Sequence, residues 1–153
     1  MDVAGLIRAI EVAVDAGADK PIISYKFHRQ NKEVDFDRIK GYPHFLLSRP
    51  GRMKLLKEER HYREYELRFI IYDRQKQKDT KHGETLDFIA VEWDSLIKIG
   101  EGVIAKLLDK TNQANKDIID KIGDTSVDMD ESKHNDNLIA VQFTFNLRVF
   151  HCE

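Results

Sequence analysis

The stretch LIAVQFTFNLRVF, residues 138–150, decides how this chain folds. Val141, Phe143, Phe145, Leu147 and Val149 alternate with Gln142, Thr144, Asn146 and Arg148. Successive side chains of a strand point to opposite faces, so this pattern builds a strand with one face on a core and one face wet. A second stretch of the same kind lies upstream, where Tyr65, Leu67, Phe69 and Ile71 alternate with Glu66, Arg68, Ile70 and Tyr72. Two half-buried strands of matched length predict an antiparallel pair, formed by residues 60–73 and 138–150.

Working outward from this pair, Val3, Leu6, Ile7, Ile10 and Val14 fall at helical spacing and predict a helix over 2–16. Asp2 stands at its N-cap, and Gly17 lies just past its end. Short strands follow near 22–27 and 42–48, with a polar, exposed segment at 28–37 between them. Ser48-Arg49-Pro50-Gly51 is a turn signal. Ile89, Trp93, Leu96, Ile97, Gly100, Val103, Ile104, Leu107 and Leu108 form the apolar stripe of a long helix over 85–111. Gly100 and Gly102 inside it predict a kink or a close approach to the sheet. Residues 112–136 are polar and acidic and read as a connection; Val127 and Met129 could alternate in a short edge strand within it. The expected fold is therefore a single α+β domain over 1–153, a mostly antiparallel sheet of about four strands with two helices packed on one face.

Composition narrows function by exclusion. The chain has 153 residues, with 25 basic and 27 acidic side chains, too balanced for a protein that binds nucleic acid through bulk charge. One cysteine, Cys152, excludes an internal disulfide framework and a multi-cysteine zinc site. No apolar run approaches the roughly 18 residues of a membrane span, and the acidic N-terminal segment is unlike a signal peptide. The expected protein is soluble, in a reducing compartment. The balance is uneven along the chain. Residues 38–83 carry 13 basic and 6 acidic side chains, whereas residues 84–136 carry 6 and 13. Two such blocks on one domain would attract each other between copies, and a head-to-tail contact of this kind closes into a ring when the rotation permits.

Catalytic chemistry finds little support. His28, His44, His61, His82, His134 and His151 show no metal-ligand spacing, and neither phosphate-binding glycine loop is present. His151 and Cys152 are neighbours on an extended end and point apart. Asp35/Asp37 and Asp128/Asp130 read as solvated acidic loops, and Glu64-x-Glu66 lacks a supporting lysine and third acid. The expectation is a non-enzyme with no cofactor, no metal and no catalytic residue.

Two charged segments are the candidate sites. Arg49, Arg52, Lys54, Lys57, Arg60 and Arg63 place six cations in fifteen positions, interrupted by Glu58 and Glu59, and would face a partner or, weakly, DNA. Asp117, Asp120, Asp124, Asp128, Asp130 and Glu131 form the acidic counterpart.

The order of elements resembles that of the small tail-terminator, tail-completion and head–tail joining proteins of tailed bacteriophages. The residues that carry the likeness are the helix Val3–Val14, the approach Ile39-Lys40-Gly41-Tyr42-Pro43, and the strand Glu64-Tyr65-Glu66-Leu67-Arg68-Phe69-Ile70-Ile71. The long helix and the closing strand introduced by Asn135-Asp136-Asn137-Leu138 complete it. The resemblance is one of layout. It implies a structural virion protein, assembled in the host cytoplasm, that forms a six-fold or twelve-fold ring at the neck or tail end. Its partners would be its own copies and neighbouring portal, neck or tail-tube proteins, with DNA passing through the channel and no membrane. The segments 28–37 and 49–60 would then be extended loops or hairpins that dock on partners or line the channel. The other reading from the residues alone is a small cytoplasmic regulatory or ligand-binding α+β domain.

Overall fold

The computed structural model describes residues 1–16, 24–28, 43–56, 61–74, 84–131 and 138–151. The elements run α1 (Val3–Asp15), β1 (Ser24–His28), β2 (His44–Leu55), β3 (Tyr62–Arg74), α2 (Glu84–Leu108), β4 (Ile118–Glu131) and β5 (Leu138–Phe150). The five strands form one sheet in the order β1-β2-β3-β5-β4. All neighbours pair antiparallel except β1 and β2, which run parallel. With two helices, this is an α+β fold.

The centre of the sheet is the pair expected from the alternating patterns. β3 and β5 stay in unbroken register from Tyr62↔Phe150 to Arg74↔Leu138. Their inward residues are fully buried: Tyr65, Leu67, Phe69 and Ile71 from β3, and Val141, Phe143, Phe145, Leu147 and Val149 from β5. Phe69 lies at the middle of an aromatic group, with ring centroids 4.8 Å from Phe45, 4.9 Å from Phe143 and 5.7 Å from Phe145. The tilted, offset and edge-on arrangements are those that aromatic quadrupoles favour.

Helix α2 crosses this face and resolves the alternative posed by its glycines. It runs unbroken for 25 residues, about 38 Å at roughly 1.5 Å per residue. A Cβ on Gly100 would sit 2.2 Å from two ring atoms of Phe143, whereas one on Gly102 would meet nothing within 4 Å. Gly100 is therefore the point of closest approach between helix and sheet. Helix α1 is capped as expected, with Asp2 Oδ1 accepting from the Gly5 N–H at 2.7 Å. It buries Leu6, Ala9, Ile10, Ala13 and Val14 in the same core as α2 and the sheet. The Met1 amine donates to the Phe150 carbonyl at 2.7 Å and lies 3.6 Å from the Asp117 carboxylate, which ties this end of the chain to the end of β5.

The end of α2 is closed by a residue beyond it. Asn115, in a single 3-10 turn (Gln113–Asn115), is buried. Its Nδ2 donates to the Lys106 and Leu107 carbonyls at 2.6 and 2.8 Å. The last carbonyls of a helix have no intrahelical partner, so the amide supplies what the helix lacks. Replacing Asn115 by alanine is expected to lower the unfolding free energy by about 2–3 kcal/mol, since each buried polar group left unpaired costs roughly 1–3 kcal/mol. Urea denaturation measures the loss.

Three expectations are corrected. The polar connection over 112–136 contains the fourteen-residue strand β4, so the sheet has five strands rather than about four. Charge masked it: the strand lies at the edge of the sheet, where solvent covers the side that a central strand would bury. The turn signal at Ser48–Gly51 does not end the second strand, which continues to Leu55. The segment 49–55 is thus one strand of an antiparallel pair with β3, the hairpin form of that expectation rather than the loop. The long helix also ends at Leu108 rather than at 111.

The two strand corrections share a feature. The β2–β3 register shifts between Ser48 and Arg52, four positions that span only Arg68 to Glu66 on β3. The β4–β5 register shifts between Ile122 and Ser126, four positions that span only Asn146 to Thr144 on β5. Each flanking strand therefore carries extra residues at the level of Leu67 and Phe145. Pro50 occupies one bulge, where the ladder needs no N–H from it. Gly123, at φ 68°, turns the other through the left-handed region that other residues avoid. A loop-like composition inside a strand is the signature of such a bulge.

Candidate functional site

The helix-free face of the sheet is laid out by register. Lys54, Glu64, Arg148 and Asp120 lie side by side across β2, β3, β5 and β4, four charges of alternating sign. Lys54 Nζ is 4.0 Å from Glu64 Oε1, and Arg148 Nε is 3.9 Å from Asp120 Oδ1. Each pair has one exposed and one less exposed partner and is at the long end of ion-pair distance, so its stability contribution is small; like charges opposite one another are disfavoured, however, so the row favours this register. One row away lie Arg52, Glu66, Asn146 and Ile122, and further along the face Leu46, Ile70, Gln142 and Asp128 share a level.

The two candidate segments are thereby separated. The basic one runs along β2 and into β3, and the acidic one runs along β4 at the far edge of the sheet. Within the basic segment, Arg52 and Lys54 share the helix-free face, while Arg63 pairs with Val149 and Leu55 on the other. Arg49 lies in the bulge of β2, and Lys57 and Arg60 lie outside the described residues. Within the acidic segment, Asp128 and Asp130 are exposed on the helix-free face, and Asp120 shares that face with its Arg148 partner. Asp124 is exposed in the bulge, and Glu131 pairs in register with Ile139. Asp117 departs from the expected interface, because it precedes β4 and turns to the Met1 amine.

Charge reading missed the apolar residues between these charges. Met53 is 41% exposed and Leu55 70% exposed on β2, and Met129 is 53% exposed on β4. All three stand on the helix side of the sheet, in register with Tyr65, Arg63 and Val141 respectively. Val91, on the first half of α2, is 62% exposed. Nearby, the Trp93 indole N–H donates to the Asp130 carbonyl at 3.3 Å and joins α2 to the acidic strand. The alternations Arg52-Met53-Lys54-Leu55 and Val127-Asp128-Met129-Asp130 are the sequence signal that identifies both as strands.

Part of each of these strands lacks a described neighbour on its outer side. β1 pairs with His44–Ser48 only, so no described strand covers the outer edge of β2 from Arg52 to Leu55. No described strand pairs with the outer side of β4.

The electrostatics of this corner extend to Tyr72. Burial pushes its phenol above the ordinary value, and the carboxylate of Asp130, two strands away, pushes it in the same direction. The other candidate chemistry is dispersed. Glu64 is held by Lys54, and His151 Nδ1 lies 3.3 Å from the Met1 carbonyl. His82, His134, Asp35, Asp37 and Cys152 lie outside the described residues. Among the described residues, no group of three or more His, Cys, Asp or Glu side chains is placed to hold a metal ion, and no helix is long and apolar enough to cross a membrane. No protein-family model matches the chain, and a comparison with curated proteins finds no match.

Proposed function

We propose that this chain is a structural assembly protein that associates head to tail with its own copies into a closed ring. The observation that supports this reading is the placement of the two charged segments: among the described residues no strand covers the outer side of Arg52–Leu55 on β2, and none covers β4 at the opposite edge of the sheet. A cationic stretch beyond the end of β1 on one side and an acidic edge strand on the other give each copy two unlike, complementary ends. Unlike ends make heterologous contacts, which close into a ring when the rotation between copies divides the circle. The layout that resembles phage tail-terminator and head–tail joining proteins supports placing this ring at the neck or tail end of a virion. There it would stack on portal, neck or tail-tube proteins.

The mass of the particle in solution tests the reading. Light scattering is expected to report a multiple of the 17.9 kDa chain at low ionic strength. The mass should fall as salt rises to about 1 M, where the screening length drops to roughly 3 Å. A mass equal to one chain at low salt and high protein concentration overturns the proposal.

A further inference from the structure

The two strand stretches that no described strand covers match residue by residue. On β2, Arg52 and Lys54 lie on the helix-free face, and Met53 and Leu55 lie on the helix side. On β4, Asp128 and Asp130 lie on the helix-free face, and Val127 and Met129 lie on the helix side, in register with Phe143 and Val141. The order β1-β2-β3-β5-β4 with its antiparallel pairings makes β4 run opposite to β2. A copy added so that the sheet continues through it would therefore bring β4 against its neighbour's β2 in the antiparallel sense.

We propose that the contact between copies is an antiparallel pairing of Arg52–Leu55 on one copy with Val127–Asp130 on the next, in the register Arg52↔Asp130, Met53↔Met129, Lys54↔Asp128 and Leu55↔Val127. This inference rests on the head-to-tail reading above and specifies its interface. In this register both cations oppose carboxylates on the helix-free face. The four apolar side chains meet on the other, and residues directly opposite in such a pair have Cβ atoms about 4.5–5.5 Å apart. Sliding one strand by a single residue sets cations against apolar side chains and moves every side chain to the wrong face, so the register is selective. The pairing also covers Met53, Leu55 and Met129, which stand 41%, 70% and 53% exposed in the single copy. The β1 strand covers only His44–Ser48 and leaves this part of β2 open among the described residues. Trp93 reports on the contact, since the chain's one tryptophan bonds Asp130.

Two charge-reversed variants test the pairing. Arg52→Glu with Lys54→Glu makes both edges acidic, and Asp128→Lys with Asp130→Lys makes both edges basic. Each variant alone is expected to run as a single chain while keeping the circular dichroism of the parent. An equimolar mixture is expected to recover the parental mass, because each acidic edge then meets a basic one, and to recover the Trp93 emission of the assembled parent. Independently, a chain carrying Met53→Cys, Met129→Cys and Cys152→Ser should form a ladder of disulfide-linked multimers under mild oxidation. A parent that assembles while both reversed variants also assemble, with no cross-linked ladder, overturns this contact and leaves the ring reading standing. A folded mixture that stays dissociated overturns it as well. A parent that is a single chain under all conditions overturns both.

Discussion

Gly100→Ala is expected to destabilise the fold by about 3 kcal/mol, although alanine is intrinsically the better helix residue by about 1 kcal/mol. The added methyl would fall 2.2 Å from two atoms of the Phe143 ring. That ring cannot swing away, because it is fully buried and stacked 4.9 Å from Phe69. Accommodation must therefore lift the helix from the sheet, which loosens the packing of Leu96, Val103 and Leu107 together. For a chain of this size about 3 kcal/mol corresponds to a fall in Tm of roughly 6–12 °C by calorimetry. Trimming the ring removes the obstacle, so Gly100→Ala is expected to cost much less in a Phe143→Leu background. A double-mutant cycle should give a coupling of at least about 1 kcal/mol. A simple sum of the two single effects would show that Gly100 is not where helix and sheet are closest.

Phe69→Ala is expected to cost about 3–5 kcal/mol, a large share of the roughly 5–15 kcal/mol that holds a domain of this size. Phe69 touches aromatic rings from β2 and β5 at once, through Phe45 on one side and Phe143 and Phe145 on the other. Removing it opens a cavity between strands on both sides, and neither neighbour can refill it without breaking its own stack. The midpoint of guanidinium unfolding should fall with its slope unchanged. Phe69→Leu, which keeps most of the volume, should lose distinctly less.

What the sequence made legible follows from burial. β3 and β5 are central strands whose inward side chains are all apolar, and their alternation predicts both the strands and their pairing. The stripe of α2 is equally plain, although its glycines fit a kink as well as the close approach that Gly100 makes. β4 is obscured because it borders water: among its described side chains only Ile118 is buried, and five acids crowd its length. Its Val127-Asp128-Met129-Asp130 alternation by itself supports only a short edge strand. The second half of β2 was hidden by Pro50 and Gly51, which mark a turn in most chains and a bulge in this one. The charge blocks were legible from counting alone. Their arrangement at opposite edges was not, because strand order is a property of the whole sheet.

The paired bulges have a mechanical consequence. A bulge bends its strand and concentrates twist, and here one lies on each flank at the level of Leu67 and Phe145, where residues 49–51 and 123–125 have no ladder partners. The sheet therefore has a crease, stiff along its two central strands and compliant on both margins. The margins 52–55 and 118–122 lie on one side of this crease, and the stacked rings of Phe45, Phe69 and Phe143 lie on the other. A plate hinged in this way takes up small angular errors at its borders without disturbing its core.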